Sequence, residues 1–283
     1  MIAFSLPIHV YRYGIMYMVS LLVGYSVLFR QKKWYRNYPF LDKLMAQDID
    51  SLLIAVVIGI MIGGRLGHVL IYDLAYFVAH PVKIFAFQEG GMSFIGGIIG
   101  TILSVVYLSF SFTSSIEKSS PSKIISSWLL LLDTFIPLVP VGIFFGRFGN
   151  FLNQELYGTI VPSDFRLPQR IVQFAMNTQF FHVYDTIGSA LRINTNFLSM
   201  IFEGAMIAII LWICFFRYWI DKKWNAQLSA LFLGLYSGVR FVFEYLRQDS
   251  QAEFIGWLTK SQWFFLVFIL VAVGVFLIQG RKK

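Results

Sequence analysis

Seven apolar runs, at about 13–29, 49–71, 92–112, 124–146, 197–216, 226–246 and 262–279, take up most of this sequence. Each is near the roughly 20 residues a helix needs to cross a bilayer. Hydrocarbon offers no partner for backbone N–H and C=O groups, and a helix satisfies them within the segment. The predicted fold is therefore all-α, a polytopic integral membrane protein of about seven helices. It forms one domain over 1–283, and 150–196 is its longest segment outside the spans. Composition agrees. The chain is 57% hydrophobic and 13% charged, where a soluble domain carries roughly a quarter charged residues. The net charge of +8 then reports residues flanking helices and does not imply nucleic acid.

Lysine and arginine bias orients such a chain. With the N-terminus outside, thirteen of the 23 basic residues fall in short inner segments around 30–43, 113–123, 217–223 and the C-terminus. The 150–196 segment then becomes an extracytoplasmic loop or head. Its "TIVPSDFRLPQR" reads as an ordered loop, and "IVQFAMNTQFFHVYDTIGSALR" as short elements lying on the membrane. The start, "MIAFSLPIHVYRYG", lacks the basic stretch and small-residue cleavage site of a secretory signal. Cys214 sits in an apolar run and behaves as a small hydrophobe. The four histidines show no metal spacing, and there is no nucleotide-binding glycine pattern. No cofactor or metal is implied.

Polar residues inside apolar runs are costly unless paired, and so mark sites. "GRFGNFLNQELYG", 146–158, places Arg147 and Asn150 on one helical face, with Asn153 and Glu155 following and Gly158 closing. A single arginine there would read as a snorkelling cap. Two asparagines and a glutamate beside it favour a functional cluster. "YSGVRFVFEYLR", 236–247, sets Tyr236, Arg240 and Glu244 at i, i+4 and i+8, one polar stripe on an apolar helix. Arg240 and Glu244 either tie two spans together or present a guanidinium to an anion such as phosphate. "GGRLGH", 63–68, puts Arg65 and His68 on one side of a glycine-rich, close-packing helix. Tyr13 opens the first run, Glu203 is a further acid within a span, and Asp133 lies near mid-span, where burial demands a partner.

Together these stretches resemble the bacterial prolipoprotein diacylglyceryl transferase family. "YRYGIMY", "GGRLG", "GGMSFIGG", the 146–158 signature and "YSGVRFVFEYLRQ" carry the resemblance over nearly the whole chain. It implies transfer of the diacylglyceryl group of phosphatidylglycerol to the lipobox cysteine of a prolipoprotein signal peptide. A thioether forms and glycerol phosphate leaves. By position, Tyr13, Arg147, Asn150, Glu155, Arg240 and Glu244 become catalytic candidates. Arg65, His68, Asn153, Gly158 and Tyr236 become substrate-binding ones. A monomer in the bacterial inner membrane is expected, with membrane lipid and the prolipoprotein as partners.

Three positions depart from the family pattern. Ile95 stands where the family has a histidine proposed to serve the chemistry. "INTNFLS", 193–199, falls where a histidine-proline-serine-glutamine-leucine-tyrosine-glutamate motif is expected, and keeps almost none of it. Tyr11 replaces a further histidine. Glu155 or Glu244 is then the expected proton acceptor, with His68 as an outside candidate. Arg147 and Arg240 are expected to converge on one anionic headgroup. Three rivals stay open: a related transferase with another acceptor, a non-catalytic lipid-binding paralogue, and a transporter. The last fits poorly for want of an inverted repeat.

Overall fold

The structure is a computed structural model and describes residues 8–35, 49–87, 90–116, 121–162, 168–184, 188–218, 226–248 and 254–280. The described residues are mostly helical, with two small antiparallel hairpins among them. Among the described residues, four helical stretches are long and apolar enough to cross a bilayer: Leu53–Ile71, Trp128–Leu152, Thr195–Arg217 and Lys260–Ile278. Two shorter apolar stretches, Met18–Phe29 and Ile95–Leu108, fall on other expected spans. The protein is thus a polytopic membrane protein.

Two compact units divide the chain, one of residues 30–132 and one of 1–29 with 133–283. Helix α1 covers Ile8–Tyr35. In the smaller unit, α2 (Ile49–Ile71) packs along α4 (Phe94–Ile116), with the short α3 (Leu74–Ala79) between them in sequence. Glycine decides this contact. A Cβ on Gly63 would come within 2.7 Å of the Gly100 Cα, and one on Gly67 within 2.6 Å of the Gly96 Cα. The backbones therefore touch, which is how membrane helices associate when lipid is as apolar as leucine.

Most of α5 (Pro121–Phe135) belongs to the smaller unit; it continues through a 3₁₀ turn, Ile136–Leu138, into α6 (Val139–Leu152), both in the larger unit. Pro137 and Pro140 lack the N–H of a regular ladder, which accounts for the change of pitch. The expected span 124–146 thus runs on to Leu152, and most of the signature lies on its last turns. After it come α7 (Gln169–Asn177) and the hairpin β1 (Phe181–Val183) with β2 (Leu191–Ile193). Next are α8 (Thr195–Ser199), a π-helical turn (Met200–Met206) and α9 (Ile207–Tyr218). Helix α10 (Gln227–Phe243) buries residues on several faces and packs against α11 (Lys260–Gly280).

Two side-chain devices hold helix ends here. Asp133 Oδ1 accepts from the Ser229 N–H at 2.8 Å and the Ser229 hydroxyl at 2.7 Å. It is the partner expected for that buried acid, and it places an anion at the positive end of α10. Thr259 and Gln262 form a reciprocal capping box at the start of α11. The Thr259 N–H donates to Gln262 Oε1 at 3.0 Å, and the Gln262 N–H donates to the Thr259 hydroxyl at 3.2 Å. Between these ends β3 (Phe254–Ile255) pairs with β4 (Leu258–Thr259).

Candidate active site

Arg147 sits on the last turns of α6 and Arg240 on the last turn of α10, and they converge on one side chain. That side chain is Glu203, fully buried on the π-helical turn. Arg147 Nη2 lies 3.5 Å from Glu203 Oε2, and Arg240 Nη1 lies 3.6 Å from Oε1. Arg240 Nη2 also lies 3.4 Å from Glu244 Oε2. The hydroxyl of buried Tyr236 accepts a hydrogen bond from Arg147. Part of the role expected of a headgroup anion is therefore filled by a carboxylate of the chain.

The local sequence explains the convergence. A Cβ on Gly204 would lie 2.8 Å from the Phe144 Cβ and 2.9 Å from its Cα. Only glycine lets the π turn approach α6 there, and that approach brings the neighbouring Glu203 to Arg147, one turn on from Phe144. Such π turns recur at functional sites. Glu203 also bears on the missing motif. Set against 197–203 rather than 193–199, that motif's serine, tyrosine and glutamate fall on Ser199, Phe202 and Glu203.

The tail of the signature is held by backbone strain and by the 191–196 segment. Gln154 and Leu156 both take left-handed backbone angles, φ 53° and 52°. These angles are costly for side-chain-bearing residues and tend to cluster at functional sites. They flank Glu155, whose N–H donates to the Asn150 carbonyl at 3.2 Å. The Glu155 carbonyl accepts from Asn196 Nδ2 at 2.6 Å. Glu155 Oε1 is buried and receives no hydrogen bond among the described residues. Asn150 is itself buried, and Asn153 caps the C-terminus of α6.

Gly158 closes the segment. Its N–H donates to the Ile193 carbonyl at 3.1 Å, and a Cβ there would lie 2.9 Å from the Leu246 carbonyl oxygen. Next to it the Thr195 hydroxyl donates to the Leu156 carbonyl at 2.8 Å. Buried Arg192 donates to the Gly158 carbonyl at 3.2 Å and to Gln248 Oε1, and stands 4.8 Å over the Tyr157 ring. Asn194 caps α8 by accepting from the Phe197 N–H, and it also accepts from the Tyr184 hydroxyl at 3.1 Å. Burial pushes that hydroxyl up to about 12.

The sequence reading missed Arg192, Asn194 and Asn196 and gave Glu203 no role. Nothing in their spacing singles out Arg192 or Asn196, because their partners lie far along the chain. Beside Glu244 opens a cleft of about 500 Å³, lined among others by Thr159, Arg247, Gln248, Thr259 and Gln262.

Arg65, His68 and Ile95 belong to the smaller unit. Arg65 is buried in the smaller unit and donates to the carbonyls of Ile84 at 3.0 Å, Lys83 at 2.6 Å and Gly91 at 3.2 Å, and to that of Gly90. It also lies over Phe77 at 5.2 Å. Its guanidinium ties residues 83 and 84 to residues 90 and 91. His68 Nε2 lies 3.5 Å from Asp73 Oδ2, and its ring stacks on Tyr72. Ile95 is buried on α4. Tyr13 lies on α1, and its side chain is outside the described residues, as is that of Tyr11.

The two arginines and their shared, buried carboxylate lie in a polytopic helical membrane protein. Comparison with known proteins narrows the class. The prolipoprotein diacylglyceryl transferase family profile matches residues 1–278. A phosphatidylglycerol--prolipoprotein diacylglyceryl transferase of Coxiella burnetii is 32% identical over 95% of this chain and 91% of its own length. That of Chromobacterium violaceum is 31% identical over 98% and 94%, and that of Bordetella parapertussis 32% over 97% and 93%. The chain belongs to the prolipoprotein diacylglyceryl transferase family. It is a membrane transferase, and the reaction of its family is the transfer of a diacylglyceryl group to a prolipoprotein.

Proposed function

We propose that this protein transfers the diacylglyceryl group of phosphatidylglycerol to the lipobox cysteine of a prolipoprotein signal peptide. The cysteine thiolate attacks the glyceryl carbon, the carbon–oxygen bond to phosphate breaks, and glycerol phosphate leaves as the thioether forms. The observation that carries this reading is the meeting of Arg147 and Arg240 from separate helices at one buried point. Planar guanidiniums suit a phosphate in flight from carbon, because their donors face the charge that develops on it.

Glu155 is the proton acceptor in this reading. The thiolate, not the thiol, is the nucleophile. A buried carboxylate oxygen with no hydrogen bond, on a backbone held from both sides, is placed to take its proton. Glu244 sets Arg240 and lines the cleft, whose polar wall suits a glycerol headgroup. Tyr236 orients Arg147, Asn150 and Asn153 hold the end of α6, and Gly158 lets the strands close over it. Arg65 is a positioning residue for its turn. His68, engaged with Asp73, takes part in substrate binding, and Tyr13 in catalysis. Read four residues later, the missing motif would set its glutamate on Glu203, which supports the prolipoprotein reading over a different acceptor.

Seven spans, the N-terminus outside, the C-terminus in the cytoplasm and a monomer in the bacterial inner membrane complete the reading. Cysteine labelling from outside intact cells is expected to reach position 163 and to miss 36 and 120. The test of function combines the purified protein, phosphatidylglycerol and a lipobox peptide. A peptide heavier by one diacylglyceryl group and an equal amount of glycerol phosphate are expected. Lipid binding without either product, from folded protein, overturns the proposal.

A further inference from the structure

We infer that Glu203 makes the two-arginine centre discriminate by charge, so that it holds a phosphodiester monoanion and releases the phosphomonoester dianion. The inference rests on the reaction proposed above and adds a specificity-determining residue to it.

The geometry comes first. Glu203 is fully buried, yet neither carboxylate oxygen receives a hydrogen bond among the described residues, although guanidinium nitrogens lie 3.5 and 3.6 Å away. A charge-assisted N–H···O contact is shorter, about 2.7–2.9 Å. The arginines thus face Glu203 as charge against charge, without the fork geometry that would consume their donors on it. Burying a carboxylate costs several kcal/mol unless it is repaid. A purely structural role would be expected to close those contacts.

Charge balance supplies a reason for it. Arg147 and Arg240 together with Glu203 and Glu244 sum to zero formal charge. The diester enters with one negative charge. During transfer the thiolate supplies an electron pair to carbon, and the pair of the breaking carbon–oxygen bond goes to the phosphate oxygen. The leaving glycerol phosphate is a monoester whose second ionisation lies near pKa 6, so at neutral pH it carries close to two charges. The charge on the phosphate therefore rises by one as the thiolate charge disappears. Two arginines alone would grip this dianion harder than the substrate and leave the enzyme occupied by its product. A fixed anion between them penalises the dianion by an extra charge–charge term in a medium of low effective dielectric.

Glu203→Gln keeps the shape and removes the charge. Inhibition by added glycerol phosphate should strengthen at least about tenfold at pH 7.5, as expected for one buried charge several ångströms away. Steady-state turnover should fall further than single-turnover transfer, because product is retained. Glu203→Asp should return inhibition toward that of the unaltered protein. Unchanged or weaker inhibition in the Gln variant overturns the inference, as does a single-turnover rate that falls in step with steady state.

A measurement on the unaltered protein covers the case in which the Gln variant does not fold. Glycerol phosphate should inhibit more strongly as pH falls from 7.5 to 5.5 and it becomes a monoanion. Glycerophosphoglycerol, a diester at all these pH values, should not change. A glycerol phosphate constant that is flat, or tighter for the dianion, overturns the inference. Failure of the function proposed above would look different, since no diacylglyceryl peptide would form at any pH.

Discussion

Asn196 donates its side-chain amide to the main-chain carbonyl of Glu155 at 2.6 Å, tying the short helix after the second hairpin strand to the strained end of the signature. The bond explains how a glutamate between two left-handed residues keeps one position. Glu155→Gln is expected to lower turnover by about 10²–10⁴, the usual worth of a positioned general base, and to leave lipid affinity nearly unchanged. Asn196→Leu keeps Glu155 but releases its carbonyl, at a cost of about 1–3 kcal/mol for the buried acceptor. Its turnover should fall with its melting temperature. Full turnover in Glu155→Gln between pH 6 and 9 would remove Glu155 from the chemistry.

Lysine retains the charge of arginine but not its planar fork. Arg147→Lys and Arg240→Lys should each cut turnover by about a hundredfold, the order found for losing one transition-state donor, with smaller losses of membrane expression. Arg240→Ala should also melt earlier than Arg240→Lys, because Glu203 and Glu244 both lose a buried counter-charge. Turnover, lipid affinity and melting in detergent measure the three effects. Wild-type turnover in both lysine variants would mean that the arginines do not hold phosphate.

Two glycines of the signature should respond in opposite ways. Gly158→Ala pushes a methyl against the Ile193 and Leu246 carbonyls and is expected to cost about 1–3 kcal/mol, as overpacking does. Gly146, on α6, has nothing within 4 Å of its would-be Cβ. Gly146→Ala should be neutral or gain about 0.5–1 kcal/mol from helix propensity. Thermal melting of the two variants decides it.

Tyr184 supplies a pH signature. Burial outweighs the lowering effects of Asn196 and Arg192 and lifts its hydroxyl to about 12, whereas an unfolded tyrosine ionises near 10. Between those values the folded chain keeps a proton that the unfolded chain has lost. The contribution is complete below about pH 10 and disappears as pH rises to about 12. Melting temperature should fall less steeply across that window in Tyr184→Phe, which has no proton to lose. It should start lower at pH 7, since Asn194 loses the hydroxyl that donates to it.

Much of this protein could be read without coordinates. The apolar runs announced membrane helices because hydrocarbon leaves the backbone few options, and hydropathy is a local property. The glycines of 63–67 and 96–100 announced a close helix contact, since only glycine lets two backbones touch. Arg147, Glu155 and Arg240 stood out because charge in an apolar run is expensive. All of these judgements need only a residue and its near neighbours in sequence.

What joins those residues is long-range, and only the tertiary structure decided it. Nothing local says that Glu203 lies between Arg147 and Arg240, because that depends on a π turn seated by Gly204 against Phe144. Nor does spacing say that Arg65 turns to backbone carbonyls while Arg147 turns to a carboxylate; both are arginines on glycine-rich apolar helices. Thr195 and Asn196 lie in the 193–199 stretch where a motif was expected, and with Arg192 they strap the signature. Their bonds to it go to the main-chain carbonyls of Leu156, Glu155 and Gly158, which every residue carries and no sequence pattern marks.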